Sequence, residues 1–157
     1  MIFLGIDPGA SGGIAWLSSF SEEARAHKFP DTERDAYEVF LMALADAGRN
    51  NLSTFAIIER VHSMPKQGVV SSFKFGQSYG FLRGCLIALE IPFEEATPQS
   101  WQKAIGCLSR GDKNVTKAKA QQLFPGRRIT HATADALLLA EYARRTWTAR
   151  NVAGGAA

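Results

Sequence analysis

Ile2-Phe3-Leu4-Gly5-Ile6-Asp7-Pro8-Gly9-Ala10-Ser11-Gly12-Gly13 is the stretch on which the fold turns. Residues 2–6 form a continuous apolar run, the pattern of a strand covered on both faces, and the run ends on a carboxylate. Pro8 to Gly13 is turn chemistry, and Ile14-Ala15-Trp16-Leu17 follows as the second strand of a hairpin. A weaker pattern predicts a third strand over Ala24–Phe29. Thr32-x-x-Asp35 has the spacing of a capping box that opens an amphipathic helix to about Ala47, with Gly48 as its stop. Thr54-Phe55-Ala56-Ile57-Ile58-Glu59 then repeats the opening pattern, an apolar strand with a carboxylate at its end.

Further along, a polar loop from Val61 to Gly68 leads to a helix over about Val69–Glu90. Gly76, Gly80 and Gly84 recur in it every four residues. Each internal glycine costs roughly 1 kcal/mol relative to alanine, so three in register predict close backbone packing against the sheet or a second subunit. Ile91–Ala96 reads as a short strand. Thr97 caps the next helix, Pro98 takes its first position and Gly106 ends it. Helices over about Val115–Leu123 and His131–Thr146 follow, with fraying expected from Asn151. A hairpin meander followed by alternating strands and helices predicts a mixed α/β sheet covered by helices, not an all-parallel doubly wound fold.

The 157 residues suit one domain, residues 1–150 with a flexible tail at 151–157. Hydrophobic residues at 46% against 21% charged exclude a disordered chain. No apolar run approaches the ~18–20 residues that span a bilayer, so no membrane partner is expected. The opening segment lacks the basic start of a secretory signal, and Cys85 and Cys107 make neither a disulfide framework nor a metal cluster. A reducing cytoplasm is the expected compartment.

Charge is unevenly spread. Residues 1–98 carry 8 basic and 12 acidic groups; residues 99–157 carry 10 basic and 3 acidic. Lys103, Arg110, Lys113, Lys117, Lys119, Arg127 and Arg128 stand against Asp112 alone in their stretch. Such a block is the footprint of a polyanion-binding surface or, equally, a solvated basic face.

Charged residues rarely end buried apolar strands without compensation. Asp7 and Glu59 both do so, and parallel neighbouring strands would bring them to one end of the sheet. A third acid, Asp135, lies among Ala134, Ala136 and Leu137–Leu139 near the start of the last helix. Each acid alone reads equally as a cap or surface charge. Together they make a site for hard divalent cations, Mg2+ or Mn2+ rather than zinc, of the kind that clamps a phosphodiester between two ions.

Leu4-Gly5-Ile6-Asp7-Pro8-Gly9 with Ser11 and Gly13 resembles the opening motif of the RuvC-type Holliday junction resolvases, in the ribonuclease H-like superfamily. Ile57-Ile58-Glu59 resembles their second acidic strand, and Ser71-Phe73-Lys74-Phe75-Gly76-Gln77-Tyr79-Gly80 their long helix. Thr97-Pro98-x-x-Trp101-x-Lys103 with Gly111-Asp112-Lys113 is similar to their lysine-bearing segment, and Ala134-Asp135-Ala136-Leu137 to their acidic C-terminal helix. The likeness runs in order over about residues 2–145, with phage-encoded members nearest. It implies a mixed five-stranded sheet flanked by helices. It also implies a homodimer that nicks a four-way DNA junction symmetrically, with Mg2+ (or Mn2+) at Asp7, Glu59 and Asp135, leaving 5′-phosphates in a bacterial or phage-infected cell. Lys103 and Lys113 match positions that hold phosphates, with Arg110, Lys117 and Lys119 in the same basic segment. Met64 and Pro65, in the loop after the second acidic strand, are candidate wedges at the junction centre, with Lys66 on the backbone; plain loop packing is the equal alternative.

One position departs from the pattern. The family places a fourth ligand three residues before the last acid, where this chain has Ala132. His131, four residues before Asp135, serves instead or is equally a capping or surface histidine; alternatively the chain is an inactivated form in which alanine replaces an acid. Slow cleavage is expected in both cases. Three rivals stand beside this reading. A sugar-kinase or actin-type phosphotransferase shares the Asp-x-Gly turn, but it needs a second phosphate loop that the sequence lacks, so no nucleotide cofactor is expected. A catalytically impaired junction-binding protein would explain Ala132. An RNA–DNA hybrid nuclease would use the same acids as a monomer, whereas a resolvase needs a dimer, for which the glycine face with Phe73 or Tyr79 is the candidate interface.

Overall fold

The run that opens the chain forms β1 (Ile2–Asp7), and the turn after it returns the chain as β2 (Gly13–Ser18) and then β3 (Ala24–Lys28). α1 (Glu33–Arg49), β4 (Thr54–Glu59) and α2 (Val69–Ala88) follow, then β5 (Phe93–Ala96), α3 (Pro98–Ile105), α4 (Lys113–Leu123) and α5 (His131–Gly154). This computed structural model describes residues 1–9, 11–21, 23–60 and 68–154.

The sheet order is β3-β2-β1-β4-β5. β1 pairs antiparallel with β2 and parallel with β4, in a register that sets Gly5 beside Ile57 and Ile6 beside Ile58. Side chains alternate across a strand with period two, and the burial follows that rule. Ile2, Leu4, Ile6, Ala56 and Ile58 face a core closed by Val39, Phe40 and Ala43 of α1 and Leu82, Cys85 and Leu86 of α2. Phe3, Phe55 and Ile57 face the other core, closed by Trp101 and Ile105 of α3 and Leu138 and Leu139 of α5. Asp7 and Glu59 share the odd-numbered parity of Phe3, Phe55 and Ile57, so alternation aims them at the α3 and α5 side.

Gly5 sets how close α5 comes. A Cβ there would lie 2.1 Å from the carbonyl oxygen of Ala136 and 2.2 Å from the amide nitrogen of Ala140. The helix backbone rests directly on β1.

Several boundaries differ from the sequence reading. α1 passes through Gly48 to Arg49, because the left-handed residue that reverses the chain is Asn51 (φ 50°), with the Leu52 amide closing on the Ala47 carbonyl. α2 stops at Ala88, and β5 starts at Phe93 because the Ile91 amide is tied back to the Leu86 carbonyl. α4 begins two residues early, at Lys113, since the Asp112 side chain accepts from the Asn114 amide at 2.9 Å. α5 continues past Thr146 and Asn151 to Gly154.

The glycine stripe of α2 does not pack on the sheet. Among the described residues, nothing beyond the helix's own backbone lies within 4 Å of a Cβ built at Gly76, Gly80 or Gly84, and Val69, Val70, Phe73 and Ile87 stand exposed along the same helix. Burial belongs to the opposite side, at Leu82, Cys85 and Leu86. Tyr79 is not an exposed partner for Phe73; it is half-buried under the Arg83 guanidinium. No helix among the described residues is long and apolar enough to cross a membrane.

Candidate active site

The parallel pairing of β1 and β4 ends with Ile6 beside Ile58, so the next residues, Asp7 and Glu59, emerge together at one end of the sheet. Gly5 brings α5 onto the same end. Asp135 precedes Ala136, the residue whose carbonyl covers Gly5, and is thereby carried to the two strand ends.

Asp7 is only 8% exposed. Its Oδ1 accepts the Gly9 amide at 3.1 Å, and the turn folds so tightly that a Cβ at Gly12 would lie 2.6 Å from its carboxyl carbon. Burial pushes the Asp7 carboxyl above its ordinary pKa, the Gly9 amide opposes that, and the nearby Asp135 charge adds to it. Glu59 is half-buried, with Oε2 accepting from the Trp101 indole Nε1 at 2.8 Å. Burial and then Asp7 repulsion push it up to about 7, against the Trp101 hydrogen bond; Asp135 raises it further and Lys113 lowers it. Asp135 is raised by burial and held down by the Thr116 hydroxyl, Lys113 and His131. The three carboxylates therefore share one electrostatic environment, and Lys113 acts on each of them.

Among the described residues, Asp135 Oδ1 is buried with no hydrogen-bond partner. A buried lone pair without a donor is costly unless something positive reaches it. The Asp135 charge acts on both Asp7 and Glu59, and this all-oxygen donor set fits a hard divalent cation such as Mg2+ or Mn2+. Among the described residues, no three His, Cys, Asp or Glu side chains already close into a coordinating group. Like charges oppose that closure, and a cation would relieve the opposition.

A cleft of about 540 Å³ opens beside Glu59 and Asp135, walled by Gln102, Ser109, Arg110, Gly111, Lys113 and Thr116. Its wall is a tight turn, with Arg110 (φ 50°) and Gly111 (φ 94°) both left-handed. Gln102 Oε1 braces that turn by accepting from the Ser109 amide and hydroxyl at 3.0 and 3.1 Å.

Of the basic residues expected to meet phosphate, Arg110 and Lys113 line this cleft. Lys103 is exposed on α3 outside the lining, as are the half-buried Lys117 and Lys119 of α4, the latter directed at Gln122 Oε1 (3.3 Å). His131 is exposed at the start of α5, near enough to Asp135 for its charge to act there, and Ala132 beside it offers no donor. Met64, Pro65 and Lys66 lie outside the described residues. Sequence reasoning missed three participants: the Trp101 donor, the Thr116 hydroxyl and the Gln102 brace. Only the first left a signal, since a buried indole N–H needs an acceptor.

No protein-family model matches the chain, and no curated protein matches it by sequence. Among solved structures it is similar to RuvC of Thermus thermophilus, at 15% identity and a TM-score of 0.62, covering 94% of this chain and 98% of that one. It is also similar to T. thermophilus RuvC in complex with a Holliday junction substrate, at 17% identity and a TM-score of 0.60, covering 94% and 97%. At such identities the likeness is one of fold. The chain has the RuvC-like, ribonuclease H-like fold, among the described residues a mixed five-stranded sheet flanked by five helices, with Asp7, Glu59 and Asp135 gathered at one end of its central strands.

Proposed function

We propose that the protein is a divalent-metal-dependent endonuclease that resolves four-way DNA junctions by paired, symmetric nicks leaving 5′-phosphates. The observation that carries this reading is the gathering of Asp7, Glu59 and Asp135 beside a cleft walled by Arg110 and Lys113. The likeness in fold to T. thermophilus RuvC in complex with a Holliday junction substrate supports a four-way junction as the substrate class. Arg110 and Lys113 neutralise backbone phosphates and set the strand's register over the acids, while Lys103, Lys117 and Lys119 extend the basic surface. Asp7, Glu59 and Asp135 hold Mg2+ or Mn2+, with His131 beside Asp135. When bound, such ions supply a water activated at neutral pH and charge stabilisation of the phosphodiester. The free, buried Cys85 and Cys107 suit the reducing cytoplasm of a bacterial or phage-infected cell.

The test is cleavage of a synthetic four-way junction in Mg2+, beside linear duplex and RNA–DNA hybrid, with Asp7→Asn as control. Paired nicks confined to the junction are expected. Cutting of the hybrid alone would move the substrate to another nuclease class, and no metal-dependent cutting of any substrate would remove the assignment.

Paired nicking requires two active sites fixed by a twofold axis. The exposed Val69, Phe73 and Ile87 of α2, with glycines between them that let a second helix approach, form the surface for a second copy. Phe73→Glu is expected to give monomers by sedimentation at micromolar concentration and to uncouple the two nicks. An unchanged dimer would place the interface elsewhere.

Ala132 favours a second reading, a junction-binding protein with impaired cleavage. Ala132→Asp is expected to raise Mg2+-dependent cleavage at least about tenfold, the low end of what a lost ligand-shell group costs. Binding in Ca2+ without nicking in Mg2+, even in this variant, would favour the binding protein.

A further inference from the structure

We propose that Trp101 is the positioning residue for Glu59. Its indole N–H tethers one carboxylate oxygen and leaves the other for a divalent cation, a role that rests on the metal-nuclease reading above.

Trp101 is completely buried on α3, and its Nε1 lies 2.8 Å from Glu59 Oε2, across 42 residues of sequence. The pairing is chemically matched, because indole is a donor only and an ionised carboxylate an acceptor only. The ring cannot move away, being packed in the core with Phe55, Ile57, Ile105 and Leu138. Glu59 itself is half-buried at the end of β4, on a side chain with three rotatable bonds. Fixing one oxygen to a rigid donor removes most of that freedom before a cation arrives, which is how outer hydrogen bonds raise metal affinity.

The same short helix fixes the cleft wall. Thr97 caps it by accepting the Ser100 amide at 3.2 Å, Pro98 starts it, and Gln102, next to Trp101, holds Ser109 in the turn that presents Arg110. One eight-residue element thus sets both Glu59 and the phosphate-facing turn.

The experiment uses the DNA-free protein labelled with 15N at the indoles and titrated with Mg2+, alongside Mn2+ binding by calorimetry in wild type and Trp101→Phe. Phenylalanine keeps most of the ring and loses the N–H. The resonance absent from Trp101→Phe is expected to shift with Mg2+ in wild type and to stay still in Asp7→Asn. Mn2+ binding is expected to weaken about 10- to 100-fold in Trp101→Phe, with junction cleavage recovering at saturating Mn2+, which a misfolded variant could not do. If Trp101→Phe fails to fold, the Trp101 resonance is assigned by elimination from Trp16→Phe and Trp147→Phe, and the wild-type titration decides. An indole resonance that ignores Mg2+ in a protein that binds it, or wild-type Mn2+ affinity in Trp101→Phe, overturns the assignment and leaves the metal site standing. A wild type that binds no Mn2+ overturns the metal-nuclease reading and the role of Trp101 with it.

Discussion

Gly5→Ala is expected to dislodge the first turns of α5 and to abolish activity without touching an acid. The added Cβ would run into the backbone of α5: Ala136 O at 2.1 Å, Ala140 N at 2.2 Å and the Leu139 carbonyl carbon at 2.7 Å. Side chains can swing away from an intruder, whereas a helix backbone moves only as a unit. Overpacking a core costs about 1–3 kcal/mol when side chains adjust, so a rigid clash here should cost at least about 3 kcal/mol. For a chain of this size that lowers the melting temperature by roughly 6–12 °C. Asp135 adjoins Ala136, so the displacement separates it from Asp7 and Glu59. Calorimetry and junction cleavage on the same preparation check both effects. A variant that melts and cuts like wild type would mean that α5 does not rest on β1.

Glu59→Gln should have opposite effects on stability and activity. The carboxyl is raised from 4.5 to about 7 in the folded chain, so the folded state prefers it protonated. Its stabilising contribution is full below about pH 4.5 and disappears as pH rises through about 7, a change of about 3 kcal/mol. Asp7 and Asp135 are shifted in the same direction. The metal-free protein should therefore melt lower at pH 8 than at pH 5, and Mg2+ or Mn2+ should restore the loss at pH 8 by binding the ionised acids. Glutamine keeps an oxygen for the Trp101 indole and carries no charge. Thermal melts of Glu59→Gln should show a flatter pH slope, higher metal-free stability at pH 8 and a weaker response to Mg2+. Junction cleavage should fall at least about 100-fold, because metal stabilisation of a phosphodiester is worth several kcal/mol. A variant less stable than wild type at pH 8 would show that Glu59 serves the fold through its charge.

The acids were legible because each contradicts its setting: Asp7 and Glu59 end apolar strands, and Asp135 sits among alanines and leucines. The mixed sheet was legible from the hairpin at Pro8–Gly13 and the later alternation of helices with strands. What joins them was not. Gly5 reads as one more residue of a strand, and its importance depends on a helix that begins 126 residues later. Gly48 looks like the end of α1, yet the left-handed position falls at Asn51, where Leu52 can turn back to Ala47. Spacing reveals that Gly76, Gly80 and Gly84 share a face, but tertiary packing decides whether that face meets the sheet or stays open. Thr116 and Gln102 carry no local signal, because their partners are set by how α4 and the turn before it lie against the acids.

Anomalous diffraction from crystals of the metal-free protein soaked in Mn2+ tests the central claim most directly. Manganese is expected between the carboxylates of Asp7, Glu59 and Asp135, with Asp135 Oδ1 as one of its oxygens. Manganese found only at other surface carboxylates, or none bound while the three acids keep their separation, would contradict it.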